Sequence, residues 1–203
     1  MAAARSGPRQ RLGEDERRSQ IIDGCVAALA RHGYRHTSLA QVALAAGVSK
    51  GLVSHYFSDR EALMEQTALA TVNALRDDLA ARIDTTAPVA EVIRSALHEV
   101  VALGRTHGAH LRAVNAIVHN LRRADGSPRL DLHLYEETYR QQQELFRRGQ
   151  RSGELRDFDT RVMAVTYQGA IDTMLAYLAS HSEQDADEYA DALADLLINA
   201  ISR

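Results

Sequence analysis

The sequence predicts an all-α fold, and three observations carry that prediction. From about Asp15 to Ile201 the apolar residues recur with a period near 3.6, the repeat of an α-helix. No segment shows the period-two alternation of a half-buried strand. Glycines, prolines and Ser/Thr/Asp caps divide the pattern into about nine helices. A single cysteine, Cys25, excludes a disulfide scaffold, and no run approaches the roughly 18 apolar residues of a membrane span. Met1 to Gln10 lacks the apolar segment of a secretory leader, so a soluble, cytoplasmic chain with no membrane partner is expected. With 203 residues, 45% hydrophobic and 25% charged, folding should bury roughly 70% of the extended-chain surface.

Residues 1–13 hold three arginines, two glycines and a proline without apolar periodicity, and are expected to form a disordered basic arm. Such an arm is either inert or adds phosphate contacts. In the first helix, Ile21, Ile22, Cys25, Val26 and Leu29 form the apolar stripe, and Gly33 stands where a C-cap takes left-handed φ. Cys25 lies within the stripe and reads as a small buried hydrophobe. Ser38 and Gln41 have capping-box spacing for a helix from Leu39 to Ala46, closed by Gly47. Ser49 can cap a third helix, Lys50 to Tyr56, and Ser58 with Glu61 a fourth. That fourth helix runs from Asp59 to about Arg82, roughly 35 Å long.

Thr86 and Pro88 mark the next start, and Val89 to Val101 carry its stripe toward Arg105. Gly108 interrupts, and Leu111, Val114, Ile117, Val118 and Leu121 make another helix. The loop 124–128 leads into a helix with Leu132, Tyr135, Tyr139 and Phe146 on one side, ending between Gly149 and Gly153. The last two helices are Asp159 to Ala179 and Glu183 to about Ile201, the second with Ser182 and Asp185 as a capping box.

Charge separates along the chain. Residues 1–60 carry nine basic and five acidic side chains, net +4, and the remainder 15 and 22, net −7. A basic head suits a polyanion while the acidic body does something else. The expected division is the arm 1–13, a head 14–60, a connecting helix 61–83 and a body 84–203.

In the head, two short helices joined by Ala46-Gly47-Val48 have helix-turn-helix spacing, in which the second helix enters a DNA major groove and the first braces it. Leu52, Val53 and Phe57 fit the inner face of the second. Lys50, Gly51, Ser54 and His55 are left outward, with Tyr56 reaching a phosphate through its hydroxyl. Lys50, Ser54 and His55 are the base-reading candidates, Lys50 as a donor to guanine. Thr37, Ser38, the helix start at Ser49 and Arg60 are the phosphate candidates. A surface helical hairpin with no nucleic-acid role shares this spacing.

The run from Ala28 to Leu63, above all Thr37-Ser38-Leu39-Ala40-Gln41-Val42-Ala43 and Gly47-Val48-Ser49-Lys50-Gly51-Leu52-Val53-Ser54-His55-Tyr56-Phe57-Ser58-Asp59-Arg60-Glu61-Ala62-Leu63, resembles the N-terminal domain of TetR-family transcriptional regulators. The resemblance implies a homodimer, two heads reading a palindromic double-stranded operator, and a body that releases DNA when a small molecule binds. It also implies that Thr37 contacts phosphate and that Lys50, Gly51, Ser54, His55 and Tyr56 form the recognition surface. Two positions depart from the family pattern: Ser54 stands where an aromatic is frequent, and Arg60 where lysine is usual. The Ser54-His55-Tyr56-Phe57 run is similar to that of the family's choline-responsive repressors of betaine pathways.

In the body, the apolar faces of the last two helices are broad enough for an intermolecular four-helix bundle. Ile171, Met174, Leu175 and Leu178 on one, with Tyr189, Leu193, Leu196 and Leu197 on the other, are the dimerisation candidates. The same residues could equally be intrachain core. A ligand pocket between the middle helices can draw on His98, His110, Asn115, His119, Tyr135, Tyr139, Gln142, Phe146, Tyr167, Gln168 and Asp172. Tyrosines beside one carboxylate suit a cationic or lipophilic effector, whereas the bland reading makes the tyrosines core and Asp172 solvent-exposed. His107, His110 and His119 fall short of a structural zinc set, so no metal or cofactor is expected. No nucleotide-binding glycine fingerprint, nucleophile elbow or zinc-protease signature is present, and an enzyme is not expected. A ligand-insensitive architectural DNA-binding dimer, or a dimerising interaction module with a vestigial head, remain the alternatives.

Overall fold

A computed structural model describes residues 13–130 and 132–203. The expected basic arm, apart from Gly13, lies outside the described residues. The described chain is all-α: nine α-helices and one short 3₁₀ turn, with no β-structure beyond isolated bridges at Arg122–Pro128 and Leu155–Ser202. It divides into two compact units, a head ending at Thr67 and a body from Ala68 to Arg203.

The head comprises α1 (Glu14–His36), α2 (Leu39–Ala46), α3 (Lys50–Tyr56) and the first turns of α4 (Arg60–Arg82). Glu14, Asp15 and Glu16 occupy the first turn of α1, where carboxylates favour the exposed N–H groups. Gly33 does not end the helix as a left-handed cap. Its φ of 70° and ψ of 169° lie in a region open essentially only to glycine, so it breaks α1 one turn before His36. The Ser38–Gln41 box forms as expected, with Ser38 N donating to Gln41 Oε1 at 2.7 Å, and Gly47 closes α2 at φ 66°. Ser49 Oγ accepts from Leu52 N at 3.1 Å. The expected Ser58–Glu61 box is replaced by Asp59, whose Oδ1 accepts from Ala62 N at 2.7 Å while Ser58 bonds Asp59.

Ile21, Cys25, Leu29, Val42, Val53, Phe57, Leu63 and Met64 fill the head core. Because Leu63 and Met64 belong to it, the head takes in turns of α4 that the sequence reading assigned to a separate connector. Cys25 packs against Met64 with Sγ 3.9 Å from Sδ, and burial raises its thiol pKa to about 11. It is a core residue without nucleophilic character.

The body contains the rest of α4, then α5 (Val89–Thr106), α6 (Gly108–Asn120), the 3₁₀ turn (Leu132–Tyr135), α7 (Glu136–Ser152), α8 (Thr160–Ser180) and α9 (Ala186–Ile201). The expected helix after the 124–128 loop starts with the 3₁₀ turn, and α-geometry begins only at Glu136. Asp159 caps α8, accepting from Arg161 N at 2.8 Å. Asp185 alone caps α9, accepting from Asp187 N at 2.9 Å, so that helix begins later than Glu183 and without the Ser182 box. The core runs between α5, α7, α8 and α9 and includes Ile93, Leu97, Tyr139, Phe146, Tyr167, Met174, Ala194 and Ile201.

Candidate functional site

Helix α3 presents two unlike faces. Val53 is buried, with Phe57 buried just after the helix, and Leu52 and Tyr56 are half-buried. These residues anchor α3, leaving Lys50, Gly51, Ser54 and His55 exposed together with the capping Ser49. A Cβ at Gly51 would meet only Ser49 Oγ, at 3.9 Å. No fold contact demands glycine there. The His55 and Tyr56 rings meet edge to face at 5.4 Å.

Two phosphate candidates turn inward. Thr37 is only 2% exposed, and its hydroxyl donates to Gly33 O at 2.8 Å. Arg60 Nε donates to Thr37 O at 2.7 Å, its NH2 group bonds Tyr34 O, and the guanidinium lies 4.4 Å from the Tyr34 ring centroid. Together they close the broken end of α1 onto α4. Ser38 stays on the outer surface. Arg18, absent from the sequence-based candidates, sits 5.8 Å from the Tyr56 ring centroid and 5.4 Å from that of Phe57. Its position among the basic residues of α1 was visible, but its pairing with α3 is a tertiary fact.

The body holds a mostly apolar cavity of about 670 Å³ walled by α4, α5, α6, α7 and α8, with Leu75, Leu79, Val100 and Leu103 in its lining. Tyr135, Gln142, Tyr167, Gln168 and Asp172 of the expected ligand set line it. A second cavity, about 1010 Å³, shares Tyr135 and Asp172 and adds Asn115 and His119. Four expected residues line neither. His98 reaches across to α9, 3.0 Å from Asp191 and 3.4 Å from Asp187. The His110 ring packs on His107 at 5.7 Å. Phe146 is fully buried between Phe158 and Tyr167, and Tyr139 lies under the Arg161 guanidinium. His119 Nδ1 is engaged with Asn115 O of its own helix at 2.8 Å, so the histidines do not converge.

A hydrogen-bonded chain crosses the cavity wall. Gln142 Nε2 donates to Gln168 Oε1 at 3.0 Å, and Gln168 Nε2 donates to Asp172 Oδ1 at 3.0 Å. The Tyr135 hydroxyl also bonds Asp172. Crowding by protein holds the Asp172 carboxyl above the usual range, opposed by the Gln168 and Tyr135 bonds. Burial and the same carboxylate push the Tyr135 phenol up. Asp172 is exposed, as the alternative reading expected, and it is also the acceptor at the end of this hydrogen-bonded chain.

The dimerisation candidates divide four ways. Ile171, Met174 and Leu197 are buried in the body's own core, because that side of α8 and α9 faces α5 and α7. Leu175 and Leu178 line cavities, and Tyr189 and Leu193 are half-buried. Leu196 is 71% exposed and Val162, on the outer side of α8, 63%. Thr166, Gly169 and Thr173 continue that outer stripe, and a Cβ at Gly169 would touch nothing.

A helix-turn-helix head followed by a separate, cavity-bearing helical body defines the class of protein. Residues 21–67 match the family model for bacterial regulatory proteins of the tetR family. The HTH-type transcriptional regulator BetI of Cronobacter sakazakii is 42% identical over 67 residues, 33% of this chain and 33% of that protein. Its Escherichia coli counterpart is 40% identical over 67 residues, 33% of this chain and 34% of its own. The match thus spans about a third of the length of these curated relatives. Among solved structures, the fatty acid degradation regulator FadR from Bacillus halodurans superposes with a TM-score of 0.77 at 19% identity, covering 93% of this chain and 97% of that one. A TetR-family transcriptional regulator from Haemophilus influenzae gives 0.71 at 18% identity, covering 95% and 100%. The family match is confined to residues 21–67, and beyond it the chain shares the fold of these solved structures.

Proposed function

We propose that this chain is a homodimeric transcriptional regulator, a repressor that occupies a palindromic double-stranded operator and leaves it when a small molecule binds the body. The observation that carries the reading is the two-faced α3, with Val53 buried and Lys50, Gly51, Ser54 and His55 exposed on the opposite face. Lys50, Ser54 and His55 are the base-reading residues, and Ser38, Ser49, Tyr56 and the α3 amides contact phosphate. Arg60 and Thr37 serve by fixing the head from within. A DNA partner makes the cytoplasm the site of action.

The outer stripe of α8, with Val162 and Gly169, and Leu196 on α9 form the contact with a second copy, since small residues let helices approach closely. The effector occupies the body cavity. Helix α4 supplies Leu63 and Met64 to the head core and Val72, Leu75 and Leu79 to the cavity wall, and is the route by which occupancy alters the head. A coupling of about 1–3 kcal/mol changes operator affinity roughly 5- to 150-fold. Footprinting the purified chain on DNA flanking its own gene tests the reading. Protection of a palindrome is expected, and its absence at low salt would overturn the proposal.

A further inference from the structure

The polar chain in the cavity wall has a direction, and Asp172 sets it. Asp172 accepts from Gln168 and Tyr135, both neutral, and no basic side chain among the described residues forms an ion pair with it. An ionised carboxylate only accepts hydrogen bonds, so Gln168 must turn its NH2 group toward it. The Gln168 carbonyl then faces Gln142, which must in turn present its own NH2 group. Gln142 Oε1 is left buried without a partner. Both ends of the chain are therefore acceptors: Gln142 Oε1 is buried, where an uncompensated polar atom is costly, and Asp172 is exposed and carries the charge. The arginines of the lining are committed elsewhere: Arg76 to Asn73 and Asp77, Arg151 to Glu144, and Arg148 to the Ala87 carbonyl. Only Arg148 Nε stays buried and unpartnered, six residues from Gln142 and so roughly 9 Å further along α7.

We propose that the cavity is built for a protonated primary or secondary amine with an apolar body, recognised by its N–H donors at Asp172 and Gln142. This rests on the effector reading of the body cavity and narrows it to one chemical class. A quaternary ammonium carries the charge but no donor. An alcohol carries a donor but no charge. Neither completes a chain whose two ends both accept.

Calorimetric titration of the full-length protein with decylamine, decyltrimethylammonium, decanol and decanoate tests this. Decylamine should bind at least about tenfold tighter than the other three, the equivalent of about 1.4 kcal/mol. Asp172→Asn should remove that preference, and Gln142→Leu should weaken decylamine several-fold with little effect on decanol. The comparison among ligands needs no variant, so it stands even if one misfolds. Equal binding of decyltrimethylammonium, or no binding of decylamine, overturns the proposal. Preference for decanoate also overturns it and moves recognition to Arg148. Operator protection is read separately. Selective decylamine binding without release of DNA supports the amine site while removing the inducer role from the effector reading.

Discussion

Gly24 and Ala46 bring α1 and α2 into direct backbone contact. A Cβ at position 24 would lie 2.6 Å from Ala46 Cβ and 2.8 Å from its backbone N. Beside this crossing, Gln20 Nε2 donates to Ala46 O at 2.7 Å, satisfying a carbonyl at the end of α2 that has no helical partner. The helix preceding the recognition helix is thereby fixed to the helix that organises the head.

Gly24→Ala should therefore force α1 and α2 apart, because the clash is with backbone and no side chain can rotate away. Overpacking of this kind costs about 1–3 kcal/mol. Calorimetry should show the melting of the head lowered, with operator binding lost at temperatures where the wild type binds. An unchanged melting profile would mean that the crossing is looser than the structure has it.

Arg60 separates a structural from a phosphate role. As a clamp on Tyr34 and Thr37 it makes charge-assisted bonds, each contributing about 1.5–3 kcal/mol. Arg60→Ala should destabilise the head by about that much. The slope of log affinity against log salt should stay unchanged at temperatures where the variant is folded. A slope shallower by about 0.9 would instead make Arg60 a phosphate contact.

His98 makes the α5–α9 seam pH-dependent. Its bond to Asp191 raises its pKa above the ordinary 6.5, outweighing partial burial, and Asp187 adds to the rise. Asp187 is held low by Arg105 and then His98, and Asp191 by His98 and then Arg94. A raised histidine contributes fully below its unfolded pKa and loses that contribution as pH rises through the folded value. The depressed carboxylates contribute above their ordinary range and lose it only in acid. The Tm difference between wild type and His98→Asn should be constant below the ordinary histidine pKa of 6.5 and shrink as pH rises from there through the raised folded value, more weakly in high salt because the groups are exposed. A difference that is flat or grows with pH would contradict the assignment.

What was legible in the sequence was local. Ser38 with Gln41, Gly47 and Ser49 act within one turn, and the 3.6-residue period sorted Val53 and Phe57 from Lys50, Ser54 and His55. Gln168 and Asp172, four residues apart on α8, were likewise readable as neighbours. Arg60 bonding backbone at Tyr34 and Thr37 joins residues more than 20 positions apart, which no local spacing encodes. Periodicity put Tyr139 and Phe146 on one side of their helix but could not say whether that side met a cavity or packed core. The same ambiguity placed Ile171, Met174 and Leu197 at a dimer contact when they fill their own body.

The central claim is that the outer face of α3 reads bases. Its most direct test is a fluorescence-anisotropy titration of wild type and Lys50→Ala against the protected palindrome and a scrambled duplex of equal length. The wild type should prefer the palindrome by about 10³-fold or more. Lys50→Ala should lose about 1–3 kcal/mol on the palindrome and far less on the scrambled duplex. Equal affinity of the wild type for both duplexes would contradict sequence reading by this face, and equal losses in Lys50→Ala would reduce Lys50 to a phosphate contact.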